Sequence, residues 1–280
     1  MSKRLKSVLY ILSLLLLLTC DNGLDNLLEL QRIMIPVASE VELRSAVAAA
    51  QNGSIIGLLK DIEIEDLSSE YAIEIDKTLT IIAWEGTKTL SSGGGFSYDH
   101  FFEIEDGGHL ILGDSRSNGT LILEGNSSRG APLIRILCIS TPGYLTINNG
   151  VTLKSNGSNT YPTGGGVYVG DYGHFTMNGG TISSNSVLTA GGGVYITGTN
   201  STFTMKGGII NGNRADEGGG VFISSSSTFT MNGGTITGNT AIISSNGGGV
   251  HNNGGTFNGL ASDNPGKYIY GNIGLQVFPP

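Results

Sequence analysis

Residues 164–190 read GGGVYVGDYGHFTMNGGTISSNSVLTA, and residues 191–217 and 218–246 repeat this pattern with substitutions. The period is 27, 27 and 29 residues between the glycine triplets that begin at Gly164, Gly191, Gly218 and Gly247. A period of this length is typical of solenoids. Each period contains three short runs, GVYV, FTM and TI, which are too short for helices but long enough for strands. The repeat therefore predicts an all-β parallel β-helix with three strands per turn.

Side chains on a strand point alternately to opposite faces, so each strand of the repeat has an inner and an outer face. In the first strand Val167 and Val169 share one face, and in the second strand Phe175 and Met177 do so. When similar turns stack about 4.8 Å apart, each apolar residue lies on its copy, which predicts that these residues form the core. The opposite face of the first strand carries a column of rings: Tyr168, Tyr195, Phe222 and His251.

This ring column is the candidate binding surface. Rings spaced by one turn would offer a flat platform on which sugar rings or apolar residues of a partner stack. The alternative is that the rings stack on one another and stabilise the sheet. A column of threonines on the second strand is interpreted as a structural ladder: Thr176, Thr204 and Thr230.

An apolar residue followed three places later by asparagine marks the third strand of each turn. Asparagine tolerates left-handed backbone geometry, bonds to turn amides and can stack with its copies along an axis. The pattern begins before the obvious repeats, so the β-helix is predicted to span residues 72–272. The asparagines are predicted to form one structural ladder: Asn126, Asn156, Asn185, Asn213, Asn239 and Asn272.

The GGGVY and IxxN motifs of this repeat resemble the GGA[ILV] and FxxN tetrapeptides of polymorphic outer membrane proteins of the chlamydial type. The whole repeat is similar to right-handed parallel β-helix surface proteins of host-associated anaerobes, including spirochaetal surface lipoproteins. The resemblance covers about Ala72 to Asn272. It implies a right-handed, pectin-lyase-like fold and a surface location, and it implies little about activity.

The N-terminus has the features of an export signal. A basic start precedes an apolar run over residues 9–18, which is too short to span a bilayer but suits a signal peptide. The run ends in Leu-Leu-Thr-Cys, which resembles the lipobox of bacterial lipoproteins and implies lipidation at Cys20. A plain signal peptide and an uncleaved anchor are the alternatives. We expect an exported protein, lipid-anchored to a bacterial membrane at the outer membrane or cell surface.

The predicted organisation has five parts. They are a lipoprotein signal peptide (1–20), a tether (21–38), an N-terminal cap (39–71), the β-helix (72–272) and a C-terminal tail (273–280). The cap is predicted to open with a helix because Ser39-Glu40-Val41-Glu42 is a capping box. A helix over the open end would keep edge amides from pairing with other chains. Its apolar stripe is predicted to be Val41, Leu43, Val47 and Ala48.

Charge is distributed unevenly along the chain. The net charge is -8, whereas the charged residues between positions 143 and 258 cancel. A neutral repeat surface with few basic residues argues against nucleic acid as a partner. His174 and His251 look isolated, and no aspartate recurs where calcium-binding glycine-rich repeats need one. We expect no metal and no cofactor, and we expect the partners to be a membrane, through the lipid, and glycans or extracellular proteins.

Parallel β-helices also carry pectin and pectate lyases and polygalacturonases, so a carbohydrate-active enzyme is an alternative function. Such enzymes place carboxylates close together, often beside a basic side chain. Acids do not recur at matching positions of the regular repeats. The best local candidate, Arg214 with Asp216 and Glu217, is interpreted as a solvated corner with a weak ion pair. Cys138 lies in an apolar stretch and is interpreted as buried rather than nucleophilic.

Three functions remain open from the sequence. It favours a non-catalytic bacterial cell-surface lipoprotein whose β-helix binds host or neighbouring-cell glycans or proteins. The second reading is a polysaccharide lyase or glycoside hydrolase on the same fold. The third is an antigenic surface-display scaffold without a specific ligand, which the sequence does not separate from the first.

Overall fold

The computed structural model describes residues 34–65, 72–93, 100–126, 131–158, 163–243, 246–259 and 269–278. The chain divides into two units at Met34 and Ile35, and nearly all described residues belong to the second unit. The predicted signal peptide, most of the predicted tether and Cys20 therefore lie outside the described residues.

The second unit is built from stacked parallel strands. Sheet A contains nine strands: β1 (Met34–Val37), β2 (Ser54–Leu58), β5 (Thr78–Ala83), β8 (His109–Leu112), β11 (Gly143–Ile147), β15 (Gly173–Met177), β19 (Ser201–Met205), β23 (Ser227–Met231) and β27 (Thr256–Asn258). Sheet B contains eight: β3 (Ile62–Ile64), β6 (Thr87–Ser92), β9 (Thr120–Glu124), β12 (Val151–Lys154), β16 (Thr181–Ser183), β20 (Ile209–Asn211), β24 (Thr235–Thr237) and β28 (Ile269–Tyr270).

Sheet C also contains eight strands: β4 (Ile73–Ile75), β7 (Phe102–Ile104), β10 (Ile134–Ile136), β14 (Val167–Val169), β18 (Val194–Ile196), β22 (Val221–Ser224), β26 (Gly247–Asn253) and β29 (Leu275–Phe278). From β2 onward, neighbouring strands in the three sheets are parallel, as in the pairs β2–β5, β3–β6 and β4–β7. The prediction of an all-β parallel β-helix is confirmed.

The repeat holds one more strand than was predicted. A fourth sheet, D, has four short strands: β13 (Gly157–Ser158), β17 (Ser186–Val187), β21 (Arg214–Ala215) and β25 (Thr240–Ala241). The later turns therefore contribute four strands each. Two-residue strands are too short to show the alternation of apolar and polar residues by which strands are recognised in a sequence.

The ends of the β-helix also differ from the predicted boundaries. Strand β1 lies within the predicted tether, and β2 and β3 pair with later strands before the predicted start at residue 72. Strand β29 lies within the predicted C-terminal tail and pairs with β26.

The core consists of columns of like side chains that run along the axis. Val167 and Val169 of β14, and Phe175 and Met177 of β15, are buried as predicted. The stacked phenylalanine rings have centroids 4.5 Å apart from Phe175 to Phe203, and 4.6 Å apart from Phe203 to Phe229. Because each ring lies on its copy, one turn cannot bury its own core, and the stack can.

Five asparagines form a hydrogen-bonded row at the turn that follows sheet B. Asn213 illustrates it: its Oδ1 accepts from the backbone N and Nδ2 of Asn185, both at 3.0 Å, and its Nδ2 donates to Asn239 Oδ1 at 2.9 Å. The residue before each asparagine, not the asparagine itself, has the left-handed conformation, as at Ser184 (φ 56°) and Gly212 (φ 64°). The buried members are Asn156, Asn185, Asn213, Asn239 and Asn272.

Asn126 stands apart from this row. It is partly exposed, whereas the other five are buried. The Oδ1 of Asn156, which would receive a bond from the turn below, has no partner among the described residues, and its Nδ2 donates to Ala131 O and Gly165 O at 2.8 and 2.7 Å. The asparagine bonds therefore run from Asn156 towards the C-terminus.

Among the described residues there is one helix, α1 (Glu40–Ala49), which packs against β2 of sheet A and against β3 and β4, the first strands of sheets B and C. Ser39 caps it by accepting from the backbone N of Glu42 at 3.3 Å, while the Glu42 carboxylate accepts from the backbone N of Ala38 at 2.8 Å. The predicted stripe was partly wrong, because Val41 and Ala48 are exposed. The buried positions recur every three or four residues, as a helical face requires: Leu43, Ala46, Val47 and Ala50.

Candidate binding surface on sheet C

The outer face of sheet C carries a column that is longer than the predicted one. We define the outer column as the side chains that align at this position of successive strands: Glu74, Glu103, Arg135, Tyr168, Tyr195, Phe222 and His251. The last four members are the predicted ring column. The first three members, Glu74, Glu103 and Arg135, add two carboxylates and a guanidinium to the ring column.

The rings of the outer column stack on one another. Ring centroids are 5.6 Å apart from Tyr168 to Tyr195, and 5.1 Å apart both from Tyr195 to Phe222 and from Phe222 to His251. The interplanar angles are 20°, 10° and 22° in the same order. Most ring faces are therefore covered by neighbouring rings, so the column does not present a flat platform of ring faces.

The C-terminal end of the outer column is covered. Phe222 and His251 are each only 5% exposed, whereas Tyr168 and Tyr195 are half-buried. Glu217 lies over this end, with its carboxylate 3.9 Å from His251 Nε2, and Asn246 Nδ2 donates to it at 2.9 Å. Burial lowers the pKa of His251, and Glu217 opposes that shift more weakly. The accessible part of the predicted surface is therefore the tyrosine pair.

The first glycine of a triplet lies against this column. Gly191 has a φ of 69°, and a Cβ on it would lie 2.7 Å from Tyr195 Cβ. No other residue fits such a close approach without a shift of the backbone. The first glycine of the triplet thus lets the chain turn tightly over the strand that presents the ring.

The N-terminal end of the outer column is charged. Arg135 Nη1 lies 3.2 Å from Glu103 Oε1, and their side chains are 28% and 23% exposed. Glu74, one strand further, is exposed. Beside this end, Glu105 has a raised pKa, caused first by burial and then by Glu74, Asp76 and Asp106. The two carboxylates outnumber the guanidinium, so this end of the column favours neutral ligands over anionic ones.

The pKa of Asp106 is shifted in the opposite direction from that of its neighbour Glu105. Its carboxylate accepts from the Ser140 hydroxyl at 2.7 Å and from the backbone N of Ile139 at 2.7 Å. The hydrogen bond from the Ser140 side chain is the largest cause that lowers the pKa of Asp106 to about 2. Two adjacent carboxyls therefore differ in proton affinity, because the pKa of Glu105 is raised and that of Asp106 is lowered.

The other residues that the sequence analysis considered, a cysteine, an arginine and two histidines, lie in surroundings that do not form a reactive site. Burial raises the pKa of Cys138 to about 11, so its thiol is protonated and unreactive at neutral pH. Arg214 is exposed and forms no ion pair with any described residue. His174 stacks on Tyr144 with centroids 5.1 Å apart, and His251 stacks on Phe222 as a member of the ring column.

The described residues contain neither a metal-binding cluster nor a membrane-crossing helix. No three histidine, cysteine, aspartate or glutamate side chains come close enough together to hold a metal ion. No described helix is both long and apolar enough to cross a membrane.

The chain is similar to a solved structure of a mutant PL6 family alginate lyase, AlyGC. The identity is 18%, and the TM-score is 0.37. The similarity covers 87% of this chain and 39% of the lyase chain, so this chain spans well under half of the lyase. No family model and no curated protein matches the chain. A likeness of this size gives no reason to transfer the lyase's activity.

Proposed function

We propose that this protein is a non-catalytic cell-surface lipoprotein that binds neutral glycans of a host or a neighbouring cell through the accessible part of the outer column. The observation that carries the proposal is the alignment of Glu103, Arg135, Tyr168 and Tyr195 at one position of four successive strands. These side chains supply both donors and acceptors, at a spacing of about 4.8 Å set by the sheet.

The stacked rings decide how such a ligand would be held. Because the ring faces cover one another, sugar rings have little aromatic surface on which to stack. The tyrosine hydroxyls and the Arg135–Glu103 pair instead offer hydrogen bonds to ligand hydroxyls. A row of fixed polar groups orders few side chains on binding, which keeps the entropic cost low.

The anchor is part of the same proposal. Cys20 is the residue whose lipidation would hold the β-helix at a membrane surface, as the lipobox-like sequence before it implies. Replacing Cys20 by Ala should move the protein from the detergent phase to the aqueous phase in a phase-partitioning assay of expressing cells. Continued partitioning of the variant into detergent would contradict lipidation at this residue.

The binding experiment uses a glycan array with the full chain in a sugar-free zwitterionic detergent. The test variant carries Tyr168→Phe and Tyr195→Phe, which removes both hydroxyls and keeps the ring stack. We expect affinity for the bound glycan to fall about tenfold, the loss typical of hydrogen bonds removed from a defined site. The matched control is Tyr270→Phe, since Tyr270 is exposed on sheet B.

Other outcomes of this experiment point elsewhere. A loss of binding in the Tyr195→Ala variant but not in the phenylalanine variant would make the ring edges, not the hydroxyls, the contact. Absence of any glycan binding by the unaltered protein would overturn the proposal and favour a surface-display scaffold.

A carbohydrate-active enzyme is the second candidate, favoured by one observation. Glu74 and Glu103 occupy neighbouring positions of the outer column beside Arg135, and Glu105 near them has a raised pKa. Carboxyls of unequal proton affinity near a basic group are what glycan cleavage needs. Release of new reducing ends from neutral polysaccharides, abolished in Glu103→Gln, would favour this function over simple binding.

A further inference from the structure

A polar cleft lies on a different side of the β-helix from the outer column. It has a volume of about 400 Å³ and is found where strands of sheet A lead into strands of sheet B. This volume is in the range of sites for small molecules. The side chains that matter for its chemistry are Thr80, Ile111, Asp114, Arg116, Asn148 and Asn178.

One wall of the cleft is a short loop with a fixed shape. Asp114 and Arg116 form a two-point ion pair, with Nε–Oδ1 at 2.9 Å and Nη2–Oδ2 at 2.6 Å. Ser117 ties the loop to strand β5 by donating its hydroxyl to Ala83 O, and its hydroxyl accepts from the backbone N of Gly119 at 3.0 Å. The hydrogen bond from Arg116 is the main cause that lowers the pKa of Asp114, so the pair stays ionised at neutral pH.

The other wall is a chain of side-chain amides. Asn178 Nδ2 donates to Asn148 Oδ1 at 2.9 Å, and Asn148 Nδ2 donates to Gly113 O at 2.8 Å. This sets the orientation of both amides and leaves Asn178 Oδ1 with no partner among the described residues. The backbone fits tightly here, because a Cβ on Gly179 would lie 2.0 Å from Asn149 Oδ1.

The chemistry of these walls selects a class of ligand. The positive charge of Arg116 is balanced by Asp114, so neither an anion nor a cation is favoured by charge. Fixed amides, a carboxylate and a guanidinium offer both donors and acceptors, while Ile111 provides an apolar contact. We propose that the cleft binds a short neutral saccharide, with its hydroxyls on Arg116, Asp114 and Asn178 and a C–H face on Ile111.

This site is independent of the outer column. The cleft belongs to the junction of sheets A and B, and the outer column belongs to sheet C. The protein would therefore carry two glycan-binding surfaces on separate sides of one solenoid. Two such contacts with one polysaccharide would raise the overall affinity without new contacts at either site.

The test is a titration of the full chain, in a sugar-free zwitterionic detergent, with glucose, galactose, N-acetylglucosamine and cellobiose. Binding is followed by saturation-transfer NMR. We expect at least one probe to bind, and we expect Arg116→Ala and Asn178→Ala each to weaken that binding by about tenfold. Asn178 is exposed, so its variant should fold normally even if Arg116→Ala disturbs the loop.

Two controls separate this site from the outer column. Lys154→Ala removes an exposed ion pair on sheet B, with Glu124 Oε1 at 3.1 Å, and should bind normally. The variant with Tyr168→Phe and Tyr195→Phe removes the hydroxyls of the outer column, so probe binding that it retains and that Arg116→Ala weakens belongs to the cleft. Failure of all four probes to bind, or saturable binding that Arg116→Ala and Asn178→Ala leave unchanged, would overturn the proposal. Binding lost only in the tyrosine variant would also overturn it, and would assign the probe to the outer column.

Discussion

The turns before residue 155 and those after it use the same scaffold in different ways. In the later turns like side chains stack on their copies: phenylalanine on phenylalanine, methionine on methionine and asparagine on asparagine. In the earlier turns the inner columns are leucine and isoleucine, and the outer positions vary from strand to strand. Among the described residues, the ion pairs between carboxylates and Lys or Arg all lie before residue 155, one within helix α1 and the others in the earlier turns.

This difference indicates which turns of the β-helix carry charged side chains on their outer surface. Regular turns are stabilised by repetition, because each side chain meets an identical partner, and they leave a nearly neutral surface. Irregular turns keep the core but free the outer positions, and the charged end of the outer column and the Asp114–Arg116 wall of the polar cleft lie there. The departures from the repeat supply the charged groups that can recognise a ligand, whereas the regular turns supply the neutral ones, Tyr168, Tyr195 and Asn178.

The largest expected effect is a loss of stability on placing a charge in the core, and comparing it between the two halves tests whether both are equally tightly packed. Met205 in a later turn and Leu112 in an earlier turn occupy the same inner column, and both have an exposed fraction of 0%. Replacing either residue by Asp buries an unpaired charge and should cost more than about 4 kcal/mol. The measurements are urea unfolding and far-ultraviolet circular dichroism. If Leu112→Asp were tolerated and Met205→Asp were not, the earlier turns would be more loosely packed.

The second prediction concerns the asparagine row. Asn213→Ala removes a side chain that bonds to both neighbouring asparagines and leaves buried groups unpaired, which should cost about 3 to 5 kcal/mol. Asn126→Ala, in an earlier turn, should cost no more than about 1.5 kcal/mol because Asn126 is partly exposed. Urea midpoints of the two variants give the comparison directly. Equal costs would mean that the asparagine ladder extends through both halves.

The smallest expected effect is a pH dependence from the histidines beside Tyr144. Burial lowers the pKa of both His109 and His174 from 6.5, so the unfolded chain binds protons more readily than the folded one. Stability from these groups is therefore complete above the unfolded value and is lost as the pH falls through it. The urea midpoint should drop between about pH 7.5 and about pH 5. The drop should be smaller in a variant with His109→Gln and His174→Gln, and an unchanged drop would assign it to other groups.

Much of the fold was predictable from the sequence because each strand of the repeat can be recognised from a few neighbouring residues. The alternation of Val167 with Tyr168, or of Phe175 with Thr176, assigns inner and outer faces within one strand. The register of the later turns follows from their nearly constant length. Each of these inferences needs only a few neighbouring residues and the rule that parallel strands stack.

The outer column was predicted only in part, because the length of the turns changes. Tyr168 and Tyr195 are 27 residues apart, whereas Glu103 and Arg135 are 32 apart and Arg135 and Tyr168 are 33 apart. Extending the 27-residue period from the rings towards the N-terminus therefore does not reach Arg135 or Glu103. The contact that Glu217 makes with His251 likewise joins residues of different turns, and Asn246 Nδ2 donates to the same carboxylate.

The sequence by itself determined the parallel β-helix, the inner and outer faces of its regular strands and the capping box of the helix, because these depend on short-range periodicity. The tertiary structure decided the short strands of sheet D, the covered end of the outer column, its charged extension and the cleft beside Arg116. Those features depend on how turns of unequal length align, and alignment across turns is a property of the whole stack.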